Sequence, residues 1–183
     1  VTRRPALRAG LCVVYPARTI SRTMHSDLGK RKQIKLLIGA REDLEAIEAE
    51  MRKRFQITNI PYIQELEKKK NIMIMASHYA SWEWGIILQK DINATAFGVY
   101  KKIRNPYFDK LVRDIRAKYN SVLISTKETI PTVMNNHRNN VKALYGFVSD
   151  QSPKMNKSTH WKDFMNHNVP VFTGAEMLSK KCD

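Results

Sequence analysis

An apolar run of strand length, Ile72 to Ala76, leads into His78, and Glu83 follows between Trp82 and Trp84. A histidine takes and returns protons near neutral pH, and a carboxylate on one ring nitrogen fixes the tautomer that leaves the other able to accept. On one continuous helix, residues five apart lie about 140° apart around the axis and do not face each other. With His78 in a strand-to-helix turn and Glu83 in the first helical turn, the two side chains can meet. The pair then reads as a general base and the group that orients it. The competing reading is a core histidine and a capping glutamate, although the spacing from Ser81 is one residue short of a capping box.

Other polar stretches could serve the same chemistry. Lys101, Lys102 and Arg104 follow a short apolar run ending at Tyr100 and precede Asn105. Cations there suit a phosphate or a developing oxyanion. Lys110, Arg113 and Lys118 alternate with Asp109 and Asp114 at helical spacing and read as a solvated face. Asp150 and Gln151 follow a further apolar run. They read either as turn chemistry or as rim residues that orient a cation or a substrate. His137, His160 and His167 have no ligand spacing with one another or with a cysteine, so no metal site is expected. Serine-hydrolase, Walker and dinucleotide-binding fingerprints are missing from the sequence.

Composition bounds the rest. The 183 residues suffice for one domain with a real core, and 43% of them are hydrophobic. No apolar run approaches the roughly 18 residues of a membrane-spanning helix, and no segment reads as a secretory signal. The two cysteines, Cys12 and Cys182, are far apart. That pattern argues for a reducing compartment and against a disulfide framework or a zinc knuckle. Lys and Arg number 32 against 17 Asp and Glu, and the net charge of +15 is spread along the chain. A diffuse positive field favours polyanionic partners: nucleic acid, anionic membrane, phosphorylated lipid or an acidic protein.

The elements that must position these residues alternate. No regular structure is expected over residues 1–24, and His25 reads as a surface residue. Helices are expected over 33–54 and from Pro61 to Lys70, and a strand over 71–77. A helix over 81–90, a strand over 95–101 and a helix from the Asn105 cap through Pro106 to about Tyr119 follow. Then come a strand over 121–125, a helix capped near Thr129 and running to Arg138, a strand over 141–149, an extended piece over 169–172 and a helix from Gly174. Strand–helix alternation predicts an α/β fold, a mostly parallel central sheet flanked by helices. Such sheets bind ligands at the carboxyl ends of their strands, and His78, Tyr100 to Lys102 and Asp150-Gln151 all fall just past strand ends.

These stretches resemble the motifs of a known family. His-Tyr-Ala-Ser-Trp-Glu over 78–83 resembles the first motif of the lysophospholipid acyltransferase superfamily, a histidine followed after four residues by an acid (HX4E). It looks like the glutamate version, with Trp before the acid, found in the late acyltransferases of lipid A biosynthesis. Gly98 to Lys110 resembles that family's second block, Ser149-Asp-Gln-Ser-Pro its Asp-Gln block, and Val169 to Glu176 the region beyond. The wording is closest to Bacteroidetes-type members, and the similarity covers roughly residues 54–183. Family members run further at both ends, with an N-terminal anchoring helix. Residues 1–54 are therefore expected to be a basic, partly helical region, and 55–183 an acyltransferase domain incomplete at its carboxyl end, with a glycerol-3-phosphate acyltransferase-like fold cut short at both termini.

The resemblance implies a reaction. His78, oriented by Glu83, would deprotonate a hydroxyl of an anionic, phosphorylated lipid A precursor. The oxygen would attack the thioester of an acyl-acyl carrier protein, with no cofactor or metal. Lys101, Lys102 or Arg104 would hold the oxyanion or a phosphate, supported by Tyr100, Asn105, Asp150 and Gln151. Partners would be the acyl carrier protein and the inner-membrane surface on its cytoplasmic face, with no nucleic acid. A glycerophospholipid acyltransferase is the nearest rival, but those enzymes generally carry Asp in the first motif and many have a Pro-Glu-Gly block not found here. A basic nucleic-acid-binding domain or a non-catalytic remnant leaves His78, Glu83 and Asp150 without a role.

Overall fold

The computed structural model describes residues 11–13, 44–79 and 82–182. In chain order these form β1 (Leu11–Val13), α1 (Leu44–Arg54), α2 (Ile60–Lys69), β2 (Ile72–Ala76), a 3-10 helix (Trp82–Lys90), β3 (Thr95–Tyr100), α3 (Pro106–Arg116), β4 (Val122–Ser125), α4 (Thr129–Arg138), β5 (Ala143–Val148), β6 (Trp161–Phe164), β7 (His167–Pro170) and α5 (Gly174–Lys181). The expected start of the first helix at residue 33, and His25, lie outside the described residues.

Five strands build one parallel sheet in the order β1-β2-β5-β3-β4. This is the predicted α/β architecture. The chain steps from β2 over β5 to β3, on to β4, and then back to β5. Right-handed crossovers place connections that run in opposite directions on opposite faces. The core follows that rule. Ile72, Ile74 and Leu144 pack with Ile63 of α2 and Leu88 of the 3-10 helix. Met73, Ala143 and Tyr145 point the other way and pack with Val133 of α4 and Leu178 of α5. Period-two alternation along β2 and β5 is what sends neighbouring residues to the two faces. A third cluster joins Ile47 and Met51, one turn apart on α1, to Trp84, Ile87 and Tyr119. Ile63 is fully buried, which stabilises the fold by about 2–3 kcal/mol relative to exposure.

Local signals explain most element boundaries. Asn105 accepts the backbone N–H bonds of Tyr107 and Phe108, and Pro106 opens α3 with no N–H to lose. Pro131 sits in the first turn of α4, but Glu128 occupies the cap position, and the Thr129 hydroxyl donates instead to the Ser125 carbonyl. Glu67, buried on α2, accepts from the backbone N–H groups of Asn93 and Ala94 and from Asn93 Nδ2. It thereby ties α2 to the loop that enters β3.

Three features differ from expectation. Residues 11–13 add a parallel edge strand against β2. The helix after His78 is a nine-residue 3-10 helix, longer than the usual 3–4 residues, with Trp84 and Ile87 stacked at its three-residue period. The loop after Asp150 contains an antiparallel hairpin, β6–β7, of which only the 169–172 stretch was expected to be extended. Its turn residues Met165 and Asn166 have φ of 50° and 61°. Two left-handed residues give the twist that a tight hairpin needs.

Candidate active site

Parallel pairing decides which rim residues become neighbours. Ala76 of β2 pairs with Val148 of β5. Two residues further along each strand stand His78 and Asp150, in the same register and leaving the carboxyl edge side by side. His78 Nδ1 lies 2.7 Å from Asp150 Oδ1, and the His78 backbone N–H donates to Oδ2 at 2.9 Å. One carboxylate therefore grips both the ring and the main chain of the histidine.

Burial pushes the Asp150 carboxyl up, but the bonds from His78, together with one from its own backbone, outweigh it and hold the group below its ordinary 3.8. An ionised carboxylate only accepts, so Nδ1 carries the proton and the lone pair sits on Nε2. The His78 and Asp150 side chains are 41% and 35% exposed, so a substrate can reach the ring.

Glu83 is not on His78. Its Oε1 accepts from Arg116 at 2.5 Å, and no hydrogen bond joins it to His78 among the described residues. The expectation that Glu83 orients His78 is thus replaced by Asp150 in that position. The reason is geometric. Glu83 lies in the first turn of a helix and reaches Arg116 of α3, whereas Asp150 follows the end of the strand directly beside β2. Glu83 acts at one remove. Arg116 lies over the Trp82 ring at 5.4 Å, and Trp82 meets the His78 ring edge-on at 5.1 Å. A salt bridge thus fixes a guanidinium, the guanidinium fixes an indole, and the indole walls one side of the histidine.

β3 lies on the far side of β5 from β2 and delivers the basic residues to the same rim. Lys101, Lys102 and Arg104 are all exposed there. Tyr100 is held below them: its hydroxyl donates to Asp109 Oδ2 at 3.4 Å. Burial and the Asp109 charge push the phenol above its usual value. Asp109 does not belong to a solvated face. It is buried, and its Oδ1 accepts from the Ile103 N–H at 2.8 Å, which pins the turn that carries Lys101, Lys102 and Arg104. Asn105 caps α3, and Gln151 is exposed beside Asp150.

Sequence reasoning therefore assembles the rim but misses Arg116 and Trp82 as supports of His78. Neither stands at a spacing from His78 that marks it. Arg113 is exposed, as expected of a solvated face, and it also lines a cleft with Lys102. The described residues hold no group of three or more histidine, cysteine or acidic side chains able to take a metal ion.

A histidine with a fixed tautomer, exposed at the carboxyl rim among cations, can accept a proton from a hydroxyl and return it to a leaving group. The sequence model of the bacterial lipid A biosynthesis acyltransferase family matches residues 41–183. Among curated proteins nothing matches the chain.

Proposed function

The chain belongs to the bacterial lipid A biosynthesis acyltransferase family, and from that premise we propose that it moves a fatty acyl chain from acyl-acyl carrier protein to a hydroxyl of a phosphorylated lipid A precursor. The observation that carries the reading is the bidentate grip of Asp150 on His78. His78 Nε2 takes the hydroxyl proton of the acceptor as its oxygen bonds to the thioester carbonyl carbon. The tetrahedral oxyanion collapses, the C–S bond breaks, and Nε2 returns the proton to the departing thiolate. The products are an ester and the thiol of the carrier protein. Asp150 keeps the imidazole in the reactive tautomer and stabilises the imidazolium between the two proton transfers. Lys101, Lys102 or Arg104 stabilises the oxyanion or the precursor's phosphate.

The enzyme works at the cytoplasmic face of the inner membrane in this reading. Support comes from exposed apolar side chains beside cations. Tyr107 and Phe108 on α3 are 85% and 53% exposed next to Lys110, and Phe164 and Met165 at the hairpin tip are 65% and 80% exposed near Lys162. Aromatic and basic residues together suit an anionic bilayer surface. No helix among the described residues is long and apolar enough to cross a membrane.

The test is His78→Ala, assayed for acyl transfer from acyl-acyl carrier protein to a lipid A precursor, with folding checked by circular dichroism. Loss of turnover in a folded variant is expected. Wild-type turnover would sink the mechanism.

A further inference from the structure

A cleft at this rim stands apart from His78. It lies between β3, β4, α3 and α4, holds about 530 Å³, and is lined by Lys102, Arg113, Lys127, Glu128 and Thr132 together with Tyr100 of β3 and Leu123 to Ser125 of β4. Three cations line one cavity together with Thr132. Among the described residues none of the three cations is in an ion pair; the salt bridges there use other lysines and arginines. Glu128 is the one acid of the lining, and it is occupied. Its Oε2 accepts from the Ser125 N–H at 2.9 Å. Bonds from Ser125, first the side chain and then the backbone, hold its carboxyl below the usual range, with Arg113 and Lys102 adding to the effect.

The charge therefore stays positive by two. A metal ion would be repelled by that charge. A phosphate ester fits it: lysines supply point charges, arginine a planar fork, and the Thr132 hydroxyl a neutral donor. The position is also informative. Sheet order places the β3–β4 gap two and a half strand spacings from β2, about 12 Å from His78 at about 4.8 Å per strand. An anion in the cleft cannot be the oxyanion at the reacting carbon. It must belong to a part of the substrate held away from the chemistry.

We infer that this cleft is a second anion subsite, in which Arg113 and Lys127 together with Lys102 bind a phosphate ester of a substrate whose reacting group lies at His78. The inference rests on the acyl-transfer reading for the substrate but not for the binding. Two sources share the chemistry: the phosphate of the lipid acceptor, and the phosphodiester of the carrier protein's prosthetic arm. Binding at a site remote from the reacting atoms lowers KM and holds the substrate in register.

The experiment uses Arg113→Gln and Lys127→Gln, neither of which touches His78 or Asp150. Inorganic phosphate is titrated into the whole chain and followed by amide chemical shifts. Each variant is expected to weaken phosphate binding about tenfold, the loss of one charge-assisted contact, while His78→Ala leaves it unchanged. In steady-state assays each variant raises KM about tenfold with kcat near wild type. Against an acceptor lacking phosphate, or a short thioester donor lacking the prosthetic arm, the variant penalty vanishes for whichever compound lacks the bound group. That identifies the source. Unaltered phosphate binding in both variants would overturn the subsite. A wild-type protein that binds phosphate through these residues but transfers no acyl group would sustain the subsite and refute the acyl-transfer reading.

Discussion

Asp150→Asn is nearly isosteric, yet it removes what the structure asks of this residue. In the native protein two carboxylate oxygens each accept one bond, from His78 Nδ1–H and from the His78 backbone N–H. An amide has one oxygen. If it accepts from the main chain, its NH2 group faces Nδ1, and the ring must adopt the other tautomer, with the proton on Nε2. The catalytic lone pair is then lost. If the oxygen accepts from Nδ1–H, the NH2 group opposes the backbone N–H, a donor facing a donor. General-base catalysis contributes about 10²–10⁴-fold, and a pair as exposed as this one belongs toward the lower part, so kcat should fall about 10²–10³-fold. That is about 3–4 kcal/mol of barrier at roughly 1.4 kcal/mol per tenfold. The assay has two arms: acyl transfer under saturating donor, and imidazole nitrogen shifts of His78 by NMR. Asp150→Asn must change the tautomer population, and Glu83→Gln must not, because Glu83 bonds Arg116. A tautomer that responds to Glu83→Gln and ignores Asp150→Asn refutes the assignment.

Glu83 and Arg116 should behave as one unit, so in a double-mutant cycle Glu83→Ala, Arg116→Ala and the double variant lose similar activity; additive losses would show that they act separately. Folded Asp150 titrates below 3.8, so its contribution to stability is complete above that value and is lost as pH falls through the lower folded value. Urea unfolding should show wild type more stable than Asp150→Asn at about pH 6, with the gap narrowing toward about pH 3; a constant gap refutes the linkage. Glu67→Ala leaves the Asn93 and Ala94 N–H groups without their acceptor, and should cost about 2–4 kcal/mol in chemical denaturation. A loss under about 0.5 kcal/mol would mean that water replaces the carboxylate there.

Local chemistry made much of this protein legible from residue order alone. Apolar runs of four to six residues specify the strands β2, β3, β4 and β5, and Pro61, Pro106 and Pro131 in first turns mark the helices α2, α3 and α4, because burial and turn chemistry are read within a few residues. The same periodicity places His78, Lys101, Lys102 and Asp150 at strand ends. Edge strand β1 and hairpin strand β6 were not legible. The first spans only three residues, the second, Trp161 to Phe164, is wholly exposed, and both are held by pairing with partners elsewhere in the chain. Which rim residues touch is a question of strand order, and order is decided by long-range packing. β5 inserts between β2 and β3, so Asp150 rather than Glu83 reaches His78 Nδ1. The chain's net charge of +15 favours polyanionic partners but places no site. Only the pairing of β3 with β4 brought the ends of these strands together, so that Lys102, Arg113 and Lys127 line one cavity, since residues 25 positions apart become neighbours through the sheet and not through the chain.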